Sequence, residues 1–324
     1  MFRKLFIVLI AASALIPLTD SELKAQDPEF TQFYANPLYL NPAFAGASRC
    51  PRLVLNYRNQ WPALTGNFIT YAASYDQYVE TISGGLGIQL FQDQAGAGTL
   101  KHTSVSGMYS YQQSISDEFS MTIGVQGTYF RKALDWSKLT FSDMIDDKLG
   151  FIYETQEEPR GGQVSNFDVS TGFLIFSDVL YFGGAVHHVN EPRESLVFGK
   201  ARLPMKFTGH IGGTFPIDGK KKQYSEASIS PNILYQRQAD FEQINIGLYV
   251  NKGPIVAGVW YRNKDSFIAL LGIQTEALKI GYSYDLTVSR LTTQTAGSHE
   301  ISCAVQFDCK RKRPRFRAVS CPSF

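Results

Sequence analysis

Apolar and polar residues alternate with a period of two through stretch after stretch of this chain, and that alternation limits its fold more than any other feature. In MTIGVQGTYF, Met121, Ile123, Val125 and Tyr129 fall on one side of an extended backbone, and Thr122, Gly124, Gln126 and Thr128 on the other. EALKIGYSYDL sets Leu278, Ile280, Tyr282, Tyr284 and Leu286 against Lys279, Gly281, Ser283 and Asp285. HEISCAVQFD sets Ile301, Cys303, Val305 and Phe307 against Ser302, Ala304, Gln306 and Asp308. One face is always apolar or aromatic; the other is small or polar, with charges in mid-strand. A soluble sandwich would turn that second face to water. A transmembrane barrel turns it to the lumen and gives the apolar face to lipid.

Connection lengths separate the two. Segments of roughly ten residues, the length of a membrane strand, begin near Arg52, Asn67, Gly84, Thr99, Glu118, Val164, Val179, Arg202, Tyr224, Phe241, Pro254, Ser266, Ala277 and Ser298. With both termini on the periplasmic side, connections after even strands should be tight and those after odd strands longer. SISDE, SDV, NKGP and TEA fit the first class, and FQDQAGAG with residues 131–163, 190–201 and 287–297 the second. IDGKKKQ is a long even turn and NKD a short odd one. A sandwich has no reason for such asymmetry. After the N-terminal leader no apolar run reaches the eighteen or so residues of a spanning helix. Charged residues are 19% and aromatics 13%, against about 25% charged in soluble domains. The expected fold is all-β: a closed antiparallel transmembrane barrel of about fourteen strands over residues 51–309, because lipid satisfies no backbone group and a spanning sheet must close on itself.

Residues 1–25 read as a secretory signal peptide, with Arg3 and Lys4 before an apolar run from Leu5 to Leu18 and cleavage near Ala25. No cysteine stands there, so no lipoprotein anchor is expected. Residues 26–50 then lead the mature chain, with Asn-Pro at Asn36-Pro37 and again at Asn41-Pro42 and five rings: Phe30, Phe33, Tyr34, Tyr39 and Phe44. Proline forces extended or turn geometry and offers no N–H to a central ladder, yet five rings need burial. The segment is therefore expected inside the periplasmic mouth as a plug or hatch, the alternative being an arm along the periplasmic rim.

DPEFTQFYANPLYLNPAFAG, followed by LNYRNQWP at Leu55, YAASYD at Tyr71, GGLGIQLFQDQAG at Gly84 and the closing RAVSCPSF, resembles the PorP/SprF family of Bacteroidetes outer-membrane proteins. The resemblance implies an outer-membrane component of the type IX secretion system. Its partners would be periplasmic secretion or gliding subunits and cargo with a C-terminal targeting domain, which it helps to deliver or anchor at the surface. Asn41-Pro42-Ala43 is also similar to the hatch motif of the fatty-acid channel family, so the rival function is a FadL-like channel for hydrophobic small molecules. Asn36, Pro37, Asn41, Pro42, Ala43 and Gly46 are the expected plug-motif residues.

No hydrolase or metalloprotease motif appears, and no catalytic, cofactor or metal residues are assigned. His187 and His188 adjoin, so on a strand they should point to opposite faces; His102, His210 and His299 stand alone. Inward positions such as Arg58, Asp168, Asn245, Lys279 and Asp285 predict a polar lumen. The tail at 310–324 concentrates Lys310, Arg311, Lys312, Arg313, Arg315 and Arg317. Of 31 basic and 29 acidic residues, three and two fall in the leader and six basic ones in the tail, which leaves the remainder at −5. In the periplasm such a run meets no nucleic acid; it is expected to dock on acidic protein, lipid headgroups or lipid-linked sugar acids. Four cysteines allow three complete pairings. Cys303 is expected to face lipid as a free thiol, and a disulfide is expected among Cys50, Cys309 and Cys321, with Cys309 to Cys321 ahead because it closes a short loop.

Overall fold

The computed structural model describes residues 26–146, 148, 150–156, 161–196, 201–217, 227–263, 265–288 and 296–308. The leader, the basic tail, Cys309 and Cys321 lie outside the described residues. Fourteen long strands carry the fold: β1 Arg52–Gln60, β2 Phe68–Val79, β3 Gly84–Ala95, β4 Leu100–Ser114, β5 Ser120–Leu134, β6 Gln163–Phe176, β7 Leu180–His187, β8 Lys206–Gly213, β9 Ala227–Gln238, β10 Phe241–Lys252, β11 Ile255–Arg262, β12 Ser266–Gln274, β13 Leu278–Thr287 and β14 Ser298–Gln306. Each is antiparallel to its sequence neighbours. β1 pairs with β14 through Arg52↔Gln306 to Gln60↔Ser298, and β8 pairs with β9 through Lys206↔Gln238, so the sheet is closed with no free edge.

The alternation read in the sequence is the alternation of the wall. Val259, Leu271 and Ile273 are 60% or more exposed on the outside, a face that only lipid makes tolerable. Their neighbours point inward: Ser230, Asn232, Asn245, Ser283, Asp285 and Glu300 are buried polar residues. The interior is largely polar, but the wall also turns an apolar cluster inward, with Leu174, Leu234, Tyr249, Trp260, Ile268 and Leu270 packed around the N-terminal segment.

Connections after even strands are tight at 80–83, 115–119, 177–179, 253–254 and 275–277, with 214–226 the long exception. Those after odd strands reach 135–162 and 188–205. Two odd connections are shorter than expected, and a third is as short as its sequence implies. FQDQ belongs to β3, which leaves only 96–99; β9 and β10 are joined by 239–240, with Ala239 left-handed at φ 53°; and 263–265 stays short, as NKD foretold. Strand propensity extends past the bilayer on β3, so the apparent loop is hydrogen-bonded sheet.

Candidate functional site

Each Asn-Pro of the N-terminal segment starts a turn. Asn36 is the N-cap and Pro37 the first residue of the one-turn helix Pro37–Leu40; Asn41 and Pro42 play the same parts for the 3-10 turn Pro42–Phe44, after an earlier 3-10 turn at Phe33–Ala35. Proline's fixed φ and missing N–H suit the first helical position. The Asn41 side chain also caps its turn, accepting a bond from Ala43 N at 2.9 Å.

These turns descend through the barrel. Asp27 reaches Gln238 and His188 at the mouth that carries the odd connections. Phe33 packs edge-on against Trp260 in the middle, and Gly46 donates to Asp76 at the opposite mouth. Phe30, Thr31, Gln32, Leu38, Asn41, Ala43 and Phe44 are each 3% exposed or less. The segment therefore runs from one mouth to the other, whereas the sequence placed it in the periplasmic mouth alone. The described chain accordingly begins at the odd-connection mouth and ends, after β14, at the other, although a shared periplasmic side was expected.

Charge clamps hold it at three levels. At the even-connection mouth Asp76 accepts from Gly46 N at 2.9 Å and from Arg52 Nε and Nη2 at 2.9 and 3.1 Å. Higher up, Glu300 accepts the backbone N–H groups of Thr31 and Gln32 at 2.6 and 3.1 Å and pairs with Arg58 at 3.3 Å. Arg58 also donates to Thr31 Oγ1 and pairs with Asp285 at 3.1 Å. At the odd-connection mouth His188 lies between Asp27 (Nε2 to Oδ2, 2.7 Å) and Asp168 (Nδ1 to Oδ2, 3.0 Å). A neutral imidazole has one N–H, so two carboxylate partners call for the imidazolium. Burial opposes that charge, but the Asp27 charge and the hydrogen bonds to Asp168 and Asp27 outweigh it and raise the His188 pKa to about 10. Burial likewise works against the Asp27 carboxylate, and His188 with Lys206 holds it well below the ordinary range.

Three inward glycines form the seat for the second Asn-Pro turn. A Cβ at Gly124 would fall on Ala43 N, one at Gly172 on Asn41 Oδ1 and one at Gly85 on Ala45 O. Asn41 Nδ2 donates to the carbonyls of Phe173 and Gly184 at 3.0 and 3.1 Å, and Ser110 donates to Ala45 O at 2.7 Å. Side chains are absent on β3 and β5 where the segment's backbone arrives, and on β6 where the Asn41 amide arrives. Above the segment two adjoining cavities, of about 770 and 240 Å³, open toward the odd-connection mouth, with Gln26, Asp27 and Pro28 lining both. Polar and charged side chains, among them Arg58, Asp93, Lys132, Lys206 and Arg262, share their walls with apolar ones such as Phe68, Phe91 and Phe130.

The family model described as type IX secretion system membrane protein PorP/SprF matches residues 22–305. The chain belongs to the PorP/SprF family. No curated protein matches it. Solved structures of similar shape include the Ralstonia pickettii toluene transporter TbuX, with 11% identity over 84% of this chain and 93% of that one at a TM-score of 0.47. The CymD monoaromatic hydrocarbon channel follows at 11%, 86%, 94% and 0.48. A Pseudomonas aeruginosa FadL homologue stands at 12%, 83%, 93% and 0.44.

In this PorP/SprF barrel all six motif residues, Asn36, Pro37, Asn41, Pro42, Ala43 and Gly46, lie on the lumen-filling segment, and Asn36 accepts from Gln89 at 3.0 Å. His187 and His188 correct the sequence reading, because both face the lumen cavity. His187 ends β7, and His188 turns left-handed at φ 58°, which breaks the strand alternation. Cys50, just before β1, is disulfide-bonded, and Cys303 is free on the outer face opposite Leu55. Sequence reasoning missed the Arg58–Asp285–Glu300 grip and the glycine seat as parts of one site. Their inward parity was readable; their convergence on one segment was not.

Proposed function

We propose that this PorP/SprF protein serves type IX secretion as a closed docking barrel in the outer membrane, and not as a conduit. It binds periplasmic secretion or gliding subunits and helps deliver or anchor cargo with C-terminal targeting domains at the surface. One observation carries the reading: a turn-rich segment occupies the lumen from mouth to mouth, seated on glycine backbone and clamped by buried charges. With the long connections outside, the even-connection mouth, where β14 ends at Gln306, faces the periplasm, where machinery would be met, and the basic run Lys310 to Arg317 follows β14 in the sequence. A channel for hydrophobic small molecules fits less well, since the cavities end on the segment, where Asp27, Glu29, Arg58 and Arg262 stand in their walls. Crosslinking in intact cells followed by co-purification tests the proposal. Periplasmic secretion subunits should be recovered, and loss of the gene should deplete one or more large proteins from the surface. An isolated barrel with an unchanged surface proteome would overturn it. Neutralising Lys310 to Arg313 should leave the barrel folded and weaken that recovery, more so at raised salt.

A further inference from the structure

The outer wall is not uniformly covered by its own side chains. Across β14, β1, β2, β3 and β4 an apolar hollow of about 550 Å³ opens on the outside, with small residues set among large ones. Ala73 stands between Leu55 and Leu90 in register, and Cys303 beside Leu55. Around them Leu55, Tyr71, Leu90, Val105 and Ile301 stand exposed. The volume falls within the roughly 300–1,000 Å³ of ligand sites, and on a lipid-facing wall the surrounding solvent is hydrocarbon. The wall changes character toward the odd-connection mouth. Thr103, at the edge of the hollow, is paired with Arg131 across the β4–β5 ladder, and Lys101 follows on the same face one step nearer the mouth. Both cations are exposed; Arg131 donates to Gln163 at 2.7 Å, and Asp135 lies within reach of the Lys101 charge.

We propose that this hollow is a binding site for one anionic lipid of the leaflet at the odd-connection mouth. The acyl chain lies over Ala73 and Cys303, and the acidic headgroup meets Lys101 and Arg131. The two halves of the surface match the two halves of such a molecule: an apolar trough deep in the leaflet, and a pair of cations where headgroups begin.

Native mass spectrometry of the full-length protein, purified in detergent and titrated with dioleoylphosphatidylglycerol or dioleoylphosphatidylcholine, tests this. The wild-type chain should retain one phosphatidylglycerol in preference to phosphatidylcholine. Ala73→Trp, which fills the trough, should lower retention by about tenfold. The control Ala257→Trp, on the outer face of β11, should leave it unchanged, and heat-modifiable gel mobility checks that both variants are folded. Lys101→Gln and Arg131→Gln should each reduce phosphatidylglycerol retention about fivefold and leave phosphatidylcholine unaltered. Equal retention by Ala73→Trp and Ala257→Trp, or no preference between the two headgroups in the wild type, would overturn the proposal.

Discussion

Gly124 shows how much a single missing side chain decides in this barrel. A Cβ there would fall on the backbone of Ala43, whereas one at Gly107, on the neighbouring strand, would meet nothing. Gly124→Leu should therefore destabilise the folded state by about 1–3 kcal/mol or expel the Asn41 turn. The Gly107→Ala barrel should melt as the wild type does. Limited proteolysis of residues 26–46, with thermal unfolding followed by gel mobility, checks both. Arg58 is the second decisive position. It is 2% exposed and holds Asp285 and Glu300, so Arg58→Met leaves the buried Glu300 carboxylate without a cation, while Asp285 keeps Arg262 at 3.6 Å. Breaking such a cluster costs about 3–5 kcal/mol, and the loss should shrink when Glu300→Gln is added. Denaturant unfolding in detergent of the single and double variants measures the difference.

Among the elements, the N-terminal segment has a pH dependence set by its upper latch. His188, at about 10, titrates above its ordinary value near 6.5, so the stability it contributes is complete below 6.5 and is lost as pH rises through 10. Asp27 lies below its ordinary value near 3.8, so its contribution is complete above that value and is lost as pH falls through its lowered value. The latch is accordingly fullest between about pH 4 and 6.5. Amide protection at residues 27–32, measured as exchange relative to the free-peptide rate at each pH, should fall above pH 10 in the wild type, and His188→Gln should be poorly protected throughout with no alkaline step. A flat profile in the wild type would remove the latch from the account. The strands themselves were largely legible: their starts agree with the structure to within a few residues, because a two-residue period with one apolar face has few other solutions. The segment's turns were legible only as an exclusion of strand, since Asn-Pro marks where a turn begins and not which wall receives it.

At the scale of the whole molecule, the filled lumen predicts electrical silence. In planar bilayers the wild-type protein should show no stable conductance steps, and a variant lacking residues 28–45 should open a polar pore lined by residues such as Asn232, Asn245 and Ser283. Conductance of the wild type equal to that of the deletion would mean that the segment does not close the barrel. Disulfide mapping belongs to the same scale, because it ties distant parts of the chain together. Cys50 should be recovered bridged, and Cys303 should be alkylated without reduction.

The amino-acid sequence by itself determined that this chain is a closed fourteen-stranded barrel with a largely polar interior. Alternation, strand length and the lack of hydrogen-bonding partners in lipid are local or environmental constraints, and each acts on a few consecutive residues. Only the tertiary structure decided how far the N-terminal segment runs through that interior and what holds it there. Thr31 meets Glu300, Asn41 meets Gly172 and Asp27 meets His188, contacts between residues more than 100 positions apart. Such contacts follow from barrel closure and from the depth at which each inward side chain sits. Parity along a strand says which way a residue points; the shear of the closed sheet says whom it meets.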